Sequence, residues 1–494
     1  MDYKLPPSGV DSARRVSGQN AISGLRWIGS ARLVTQLMTW SMTLFTIRLL
    51  QPHDYGVVAT VGLFTTFANL LLDGGLSLLL VSERDLSARQ LGAAFSWVLI
   101  VASVLGVLIV LMAPLAALFF RTPDLTRVLQ FSALHLPLWA LLVVPQALLM
   151  RTMHFRETAL AQLVASVVQG AVTLLMAYGG AAYWALVTGS MVGASVRTVM
   201  QWAAISERPK PNLDFRDLRP LLKRGSHLLG QRIVYFFTSD FDTLVLGRLA
   251  GPTALGSYSL TKTLAHTALE QLAGVVNQVS VPVFAGKREV KEQVSGLVQL
   301  ITLVSLVAFP FFWITGVLSQ VAFPLLFGER WEKLVVPFVA FSFVLPFRSV
   351  YTLLDSAILG TGRVSTTFKN MLTWSAIMIP LLLFSAHYGA NAAACSWILG
   401  FPLVFWLSMR RISRAFATDL GTLLRPLIPA VMFAAVTCLL MEAISIGTSG
   451  RIPAVAQLIL EGAAAVGCYW LLIRWRAPMQ YRQALQMVLQ LVRR

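Results

Sequence analysis

Charge is in short supply in this chain. Only 13% of its 494 residues are Asp, Glu, Lys or Arg, and the acidic ones number 22 against 40 basic. Soluble domains carry about a quarter charged residues, so a chain this long and this poor in charge cannot cover itself with a water-facing surface. Cysteine is scarcer still. Cys395, Cys438 and Cys468 are odd in number and lie in apolar segments, so packing is the role expected of them and a disulfide or metal framework is not expected. No G-x-x-x-x-G-K-[ST] or H-E-x-x-H pattern occurs, and no polar stretch is long enough for an ATPase or hydrolase domain. Neither a cofactor nor an enzymatic activity is expected; any driving energy must come from an H⁺, Na⁺ or substrate gradient.

What is abundant is apolar surface. Hydrophobic residues make up 56% of the chain and mean hydropathy is +0.70. A membrane-spanning helix needs about 20 apolar residues, and such runs recur almost end to end. We read fourteen: 27–48, 56–81, 91–119, 128–150, 158–178, 182–204, 226–248, 254–282, 294–319, 334–360, 366–386, 390–409, 424–443 and 452–473. The fold expected is an all-α polytopic membrane protein. Residues 1–24 are polar, carry Lys4, Arg14 and Arg15, and lack the apolar core of a cleaved signal peptide.

An even number of spans puts both termini on one side. With an inside N-terminus, and with charges in the first or last four residues of a span counted with the adjoining loop, 28 of the 40 Lys and Arg fall on the inner side and 7 on the outer. That asymmetry places both termini in the cytoplasm. It also accounts for the net charge of +18, which is dispersed over inner-face loops in contact with anionic membrane lipids, so nucleic-acid binding is not expected.

The chain repeats itself. At an offset of 200, residues 32–56 and 232–256 match without a gap at Arg32/Arg232, Val34/Val234, Thr43/Thr243, Leu44/Leu244, Arg48/Arg248, Leu49/Leu249, Pro52/Pro252 and Gly56/Gly256. Six spans separate the copies, so both run from inside to outside. This predicts two pseudo-symmetric six-helix lobes around a central cavity, with two accessory helices at the C-terminal end. The corresponding segments are a cytoplasmic tail 1–24, an N-lobe 25–204, an inter-lobe linker 205–225, a C-lobe 226–411, an accessory pair 412–474 and a cytoplasmic tail 475–494. Within the linker, Leu213, Phe215, Leu218, Leu221 and Leu222 suit a short helix lying on the inner membrane surface. In the turns "RLLQPHDYGVV" and "RLAGPTALGSY", Pro52 and Gly56 are expected to break the helices, and Arg48 to anchor the outer interface.

Polar residues form stripes inside the spans. Arg32, Gln36, Thr39 and Thr43 share one face of the first, and Thr65, Asn69, Asp73 and Ser77 one face of the second. Span 8 aligns Ser259, Lys262, His266 and Glu270; span 10 aligns Arg348, Tyr351 and Asp355; span 7 carries Asp240 and Asp242 on opposite sides. At about 2.5–3.5 kcal/mol each near a helix centre, nine lipid-facing charges would cost on the order of 20–30 kcal/mol, more than a domain's net stability. They must pair or face water. Arg348, Lys262, Arg32 and Arg232 are the candidate ligands for a pyrophosphate or an acidic sugar. Asp240, Asp242, Asp73, Glu270, Asp355 and His266 are candidates for charge pairing or ion coupling. Arg32 and Arg232 lie near inner helix ends, where snorkelling to headgroups is the competing explanation; His266 is either a proton-responsive link or a packed imidazole.

The segments "IRLLQPHDYGVVATVGLFTTFANLLLDGGLSLLLV" (47–81), "FDTLVLGRLAGPTALGSYSL" (241–260) and "PLLFGERWEKLVVPFVAFSFVLPFRSVYTLLDSAILGTGRVSTTFK" (324–369) resemble the polysaccharide transporter branch of the MOP superfamily. The likeness is to Wzx-type exporters of the colanic-acid and xanthan kind. It implies a flippase that moves undecaprenyl-pyrophosphate-linked oligosaccharide repeat units across a bacterial inner membrane by H⁺- or Na⁺-coupled alternating access. It also implies a polysaccharide polymerase and co-polymerase as candidate partners, and Asp240 or Asp242 as the analogue of the family's ion site. A multidrug or cation antiporter of the same superfamily and a non-transporting scaffold of a polysaccharide assembly complex stay open as alternatives.

Overall fold

The computed structural model describes residues 38 and 40–476, apart from 84–85, 207, 286–289, 361–362 and 449. Most of the first span, with Arg32, Gln36 and Thr39, lies outside the described residues, as do residues 477–494. Among the described residues the chain is helical and has no strand. Ten helices are long and apolar enough to cross a membrane. Three more of spanning length, Tyr183–Ala204, Arg219–Leu249 and Gly251–Ala285, are too polar to qualify. Two of these three carry the stripes of spans 7 and 8. With the first span, the set is consistent with fourteen, and the protein is a multi-pass membrane protein.

The chain divides into two compact units, Met1–Gly256 and Ser257–Arg494. In the first, α1 (40–49) leads to α2 (Pro52–Asp73). Pro52 occupies the first turn of α2, where its missing N–H has no partner to lose, and the Gln51 N–H donates to Asp54 Oδ2 at 2.8 Å. Pro52 therefore starts a helix. Gly56 does not break one: it lies inside α2, and a Cβ there would sit 1.8 Å from the Pro252 carbonyl oxygen. The expectation of a helix break at Gly56 is corrected. A close backbone crossing, hidden from any local reading, is what requires glycine.

The break the sequence reading did not foresee comes at Gly74 and Gly75, with φ of 50° and 80°. There span 2 splits into α2 and α3 (Leu76–Ser82). Next comes α4 (Ala88–Phe120), opened by a capping box in which Gln90 N donates to Ser87 Oγ and Ser87 N to Gln90 Oε1. Its buried face is built of small residues such as Ala93, Ala94, Ala102 and Ala113, while Leu111 and Leu118 project outward. Close-packing small residues inside and large apolar ones outside is the arrangement expected in lipid. Span 4 is likewise two pieces, α5 (Leu125–Ser132) and α6 (His135–Arg151), followed by α7 (Phe155–Tyr178) and α8 (Tyr183–Ala204). Pro145 cannot bond the Leu141 carbonyl, and the Trp202 indole N–H takes that carbonyl at 2.8 Å.

The linker forms no separate surface helix. Residues 208–215 are non-helical: Pro209 and Pro211 lack donors, and the Asn212 N–H is caught by Ser96 Oγ of α4 at 2.9 Å. Phe215 packs edge-on against Trp97, and Leu218 is fully buried in the 3₁₀ turn Arg216–Leu218. That turn runs straight into α9 (Arg219–Leu249), which packs on α2, α3 and α4. Docking through these contacts replaces the expected membrane-surface helix. The boundary between the two compact units falls inside α10 (Gly251–Ala285), at Gly256.

In the second unit, α11 (Val290–Phe327) packs on α12 (Val335–Gly360) and on the accessory pair α16 (Leu427–Thr448) and α17 (Ala454–Arg476). Between α11 and α12, "LFGERW" turns on Gly328, at φ 92°, and buries Trp331 completely. α13 (Val364–Ser385) and α14 (Ala390–Ala415) complete the bundle around α12, and the short α15 (Leu420–Leu424) leads to the accessory pair.

Candidate substrate and coupling sites

In the first unit, the helix break at Gly74–Gly75 frees Asp73 to do two things. Its Oδ1 accepts the Ser77 N–H in the first turn of α3, and its Oδ2 accepts Arg232 Nη1 from α9. Asp73 is buried; the Arg232 side chain is 44% exposed. The pair borders a cavity of about 680 Å³ whose walls also include Asn69, Ser77, Trp139 and Gln146. Asp73 and Arg232 are its only ionisable wall residues among those described. Gln146 Oε1 accepts Arg197 Nη2 at 3.1 Å. Asp242 is buried, with its Oδ1 accepting the Thr243 N–H at 2.8 Å, and Asp240 is half-buried; neither borders this cavity.

The second unit holds the other cationic centre. Arg348 Nη1 on α12 donates to His266 Nε2 on α10 at 3.2 Å, one helical turn beyond Lys262. A guanidinium has no acceptor, so Nε2 must supply a lone pair; the imidazole is neutral and its proton is on Nδ1. The guanidinium also lies over the Trp397 ring, 5.3 Å from its centroid. Trp397 is fixed from behind, since its Nε1–H donates to the buried Tyr258 Oη at 2.9 Å and its ring meets Phe341 and Trp374. A neutral imidazole and an aromatic face fix the orientation of a guanidinium. Two turns along α12, Asp355 Oδ1 is buried with no hydrogen bond among the described residues. Glu270 is exposed.

Residues 46–336 match the family described as polysaccharide biosynthesis protein. The chain belongs to that family. Its relatives include the lipopolysaccharide biosynthesis protein WzxC of Escherichia coli, 23% identical over 78% of each chain. The teichuronic acid biosynthesis protein TuaB of Bacillus subtilis is 22% identical over 83% of this chain and 86% of its own. The succinoglycan biosynthesis transport protein ExoT of Rhizobium meliloti is 25% identical over 86% and 87%. Among solved structures, the lipid II flippase MurJ in an inward closed conformation aligns with a TM-score of 0.75 at 12% identity, over 90% of this chain and 97% of that one. An inward-facing MATE-family multidrug transporter aligns at 0.57, with 14% identity over 78% and 96%. This member of the polysaccharide biosynthesis proteins thus has the fold of the flippase MurJ and of a MATE-family transporter.

Several residues of these centres carry no motif. Trp397 and Tyr258 are aromatics in leucine-rich spans, and nothing local marks them. Trp139 and Gln146 stand two turns apart on α6, a spacing that a search for polar stripes could have found. Glu461 was missed altogether: it is fully buried on α17 and accepts Gln457 Nε2 at 2.8 Å. The i, i+4 spacing of Gln457 and Glu461 in the last span was its signal.

Proposed function

We propose that this protein is a flippase moving undecaprenyl-pyrophosphate-linked oligosaccharide repeat units from the cytoplasmic to the periplasmic leaflet of a bacterial inner membrane. The family match, the transport and biosynthesis relatives and the flippase fold support the class. The observation that carries the substrate chemistry is Arg348, a guanidinium held within a membrane bundle against His266 and over the Trp397 ring. A planar guanidinium so held is suited to a pyrophosphate. Lys262, one turn from His266, adds a second cation on the same helix face.

Both termini are cytoplasmic on this reading, as the lysine and arginine distribution requires. Coupling is to H⁺ or Na⁺, with His266 as the group that takes a proton and Asp240 or Asp242 as the carboxylate for a cation. Polymerase and co-polymerase remain the proposed protein partners. A cation antiporter would need an acidic cavity, and Asp73 does not supply one, because Arg232 already occupies its carboxylate.

The test is export of polymer by a strain lacking its own flippase. Arg348→Ala and Lys262→Ala are each expected to reduce export roughly tenfold or more, the equivalent of ~1.4 kcal/mol, at normal protein abundance. Wild-type export by both variants sinks the cationic-site reading.

A further inference from the structure

We infer that the cavity of the first unit is a subsite for the uncharged sugars of the substrate, separate in chemistry from the anion-binding centre at Arg348. This rests on the flippase reading and assigns one part of the substrate to one set of residues.

Charge decides first. Among the described wall residues the one cation, Arg232, is bonded to the one carboxylate, Asp73, so these walls carry no net charge. A pyrophosphate there would approach the Asp73 carboxylate together with Arg232, and drawing Arg232 away would leave that buried carboxylate without its charged donor, which costs about 1–3 kcal/mol or more. The remaining polar groups are neutral amides and hydroxyls. Asn69 Oδ1 is buried and accepts no hydrogen bond among the described residues. An acceptor left so is costly unless a ligand supplies the donor, and a sugar hydroxyl is such a donor.

Gln146 complements it. Arg197 holds Oε1, which fixes the amide and leaves the Nε2 donors for a hydroxyl or ring oxygen. Trp139 contributes a broad aromatic surface, which suits the C–H face of a pyranose ring. A volume of about 680 Å³ falls within the ~300–1,000 Å³ of small-molecule sites, room for a short oligosaccharide. Val81 and Met150 stand at the ends of α3 and α6 that the charge count assigns to the inner face, where a substrate bound for export must enter.

Binding of two probes to the full-length protein in nanodiscs tests this: undecaprenyl pyrophosphate, and the same lipid bearing a neutral tetrasaccharide. Trp139→Ala and Gln146→Ala are expected to weaken the glycan-bearing lipid roughly tenfold and to leave the sugar-free lipid within about twofold of wild type. Trp139→Phe, which keeps an aromatic face, stays near wild type for both, whereas Arg348→Ala weakens both. Equal weakening of the two lipids by Trp139→Ala assigns the cavity to the polyprenyl chain and overturns the proposal, as does no effect on either. A wild-type protein that binds neither probe overturns the flippase reading and the subsite with it.

Discussion

Gly56 and Gly256, 200 residues apart, meet at one helix crossing in the first unit, each against the proline that opens the other's helix. A Cβ on Gly56 would lie 1.8 Å from the Pro252 carbonyl oxygen, and one on Gly256 would lie 1.7 Å from that of Pro52. The repeated turn is thus a reciprocal contact between its own two copies. Glycine is required in both because each backbone is the other's wall.

Gly56→Ala and Gly256→Ala are each expected to destabilise the protein by about 1–3 kcal/mol, since the obstructing atoms are backbone and cannot rotate away. The double variant should cost less than the sum, because either methyl alone forces the same crossing apart. Thermal unfolding in detergent measures all three. Single variants that melt with the wild type would show that the crossing relaxes freely and is not a constraint.

The Asp73–Arg232 pair makes a second prediction. Removing Arg232 leaves Asp73 Oδ2 buried without its donor, whereas removing Asp73 leaves a half-exposed guanidinium that water can reach. Asp73→Ala also removes the acceptor for the Ser77 N–H of α3. A double-mutant cycle on stability should give a coupling of about 1–2 kcal/mol, below the 3–5 of a fully buried pair. Strict additivity would mean the pair contributes nothing.

How much of this could be read beforehand depended on the distance over which each residue acts. Hydropathy marked the helices because every residue in a span meets the same solvent. Arg348 and Lys262 stood out because a charge in an apolar run is conspicuous whatever its partner. The repeat registered Pro52, Gly56, Pro252 and Gly256 but suggested turns, since their partners lie almost 200 residues away. Asp73 and Arg232 were each named as candidates, yet their bond spans 159 positions and only the folded chain joins them. The break at Gly74–Gly75 lies inside the apolar run 56–81, where hydropathy alone shows no interruption. Arg32 falls outside the described residues.

The prolines inside helices supply a third prediction. Pro310 cannot bond the Leu306 carbonyl on α11, and Tyr469 Oη of α17 donates to that oxygen at 2.8 Å, as Trp202 does at the Pro145 kink. Tyr469→Phe should therefore cost about 1 kcal/mol. Pro310→Ala restores a helical N–H to Leu306, so the same Tyr469→Phe change should cost almost nothing in that background. Unfolding in mixed detergent and SDS reads both. An equal cost in the two backgrounds would assign Tyr469 a packing role only.

His266 accepts from Arg348 only while Nε2 is unprotonated. A proton on Nε2 replaces a hydrogen bond with two facing cations, so protonation and the Arg348 contact exclude each other. Protonation therefore breaks the Arg348–His266 contact, and deprotonation restores it. Affinity for undecaprenyl pyrophosphate should accordingly increase toward acid pH in the wild type. In His266→Gln, whose amide oxygen accepts from Arg348 at every pH, that dependence should be flat. His266→Lys sets a permanent cation against Arg348 and should show the low-pH behaviour throughout. Binding measured as the pH is lowered separates these outcomes, and a Gln variant with the wild-type pH profile would remove His266 from the coupling mechanism.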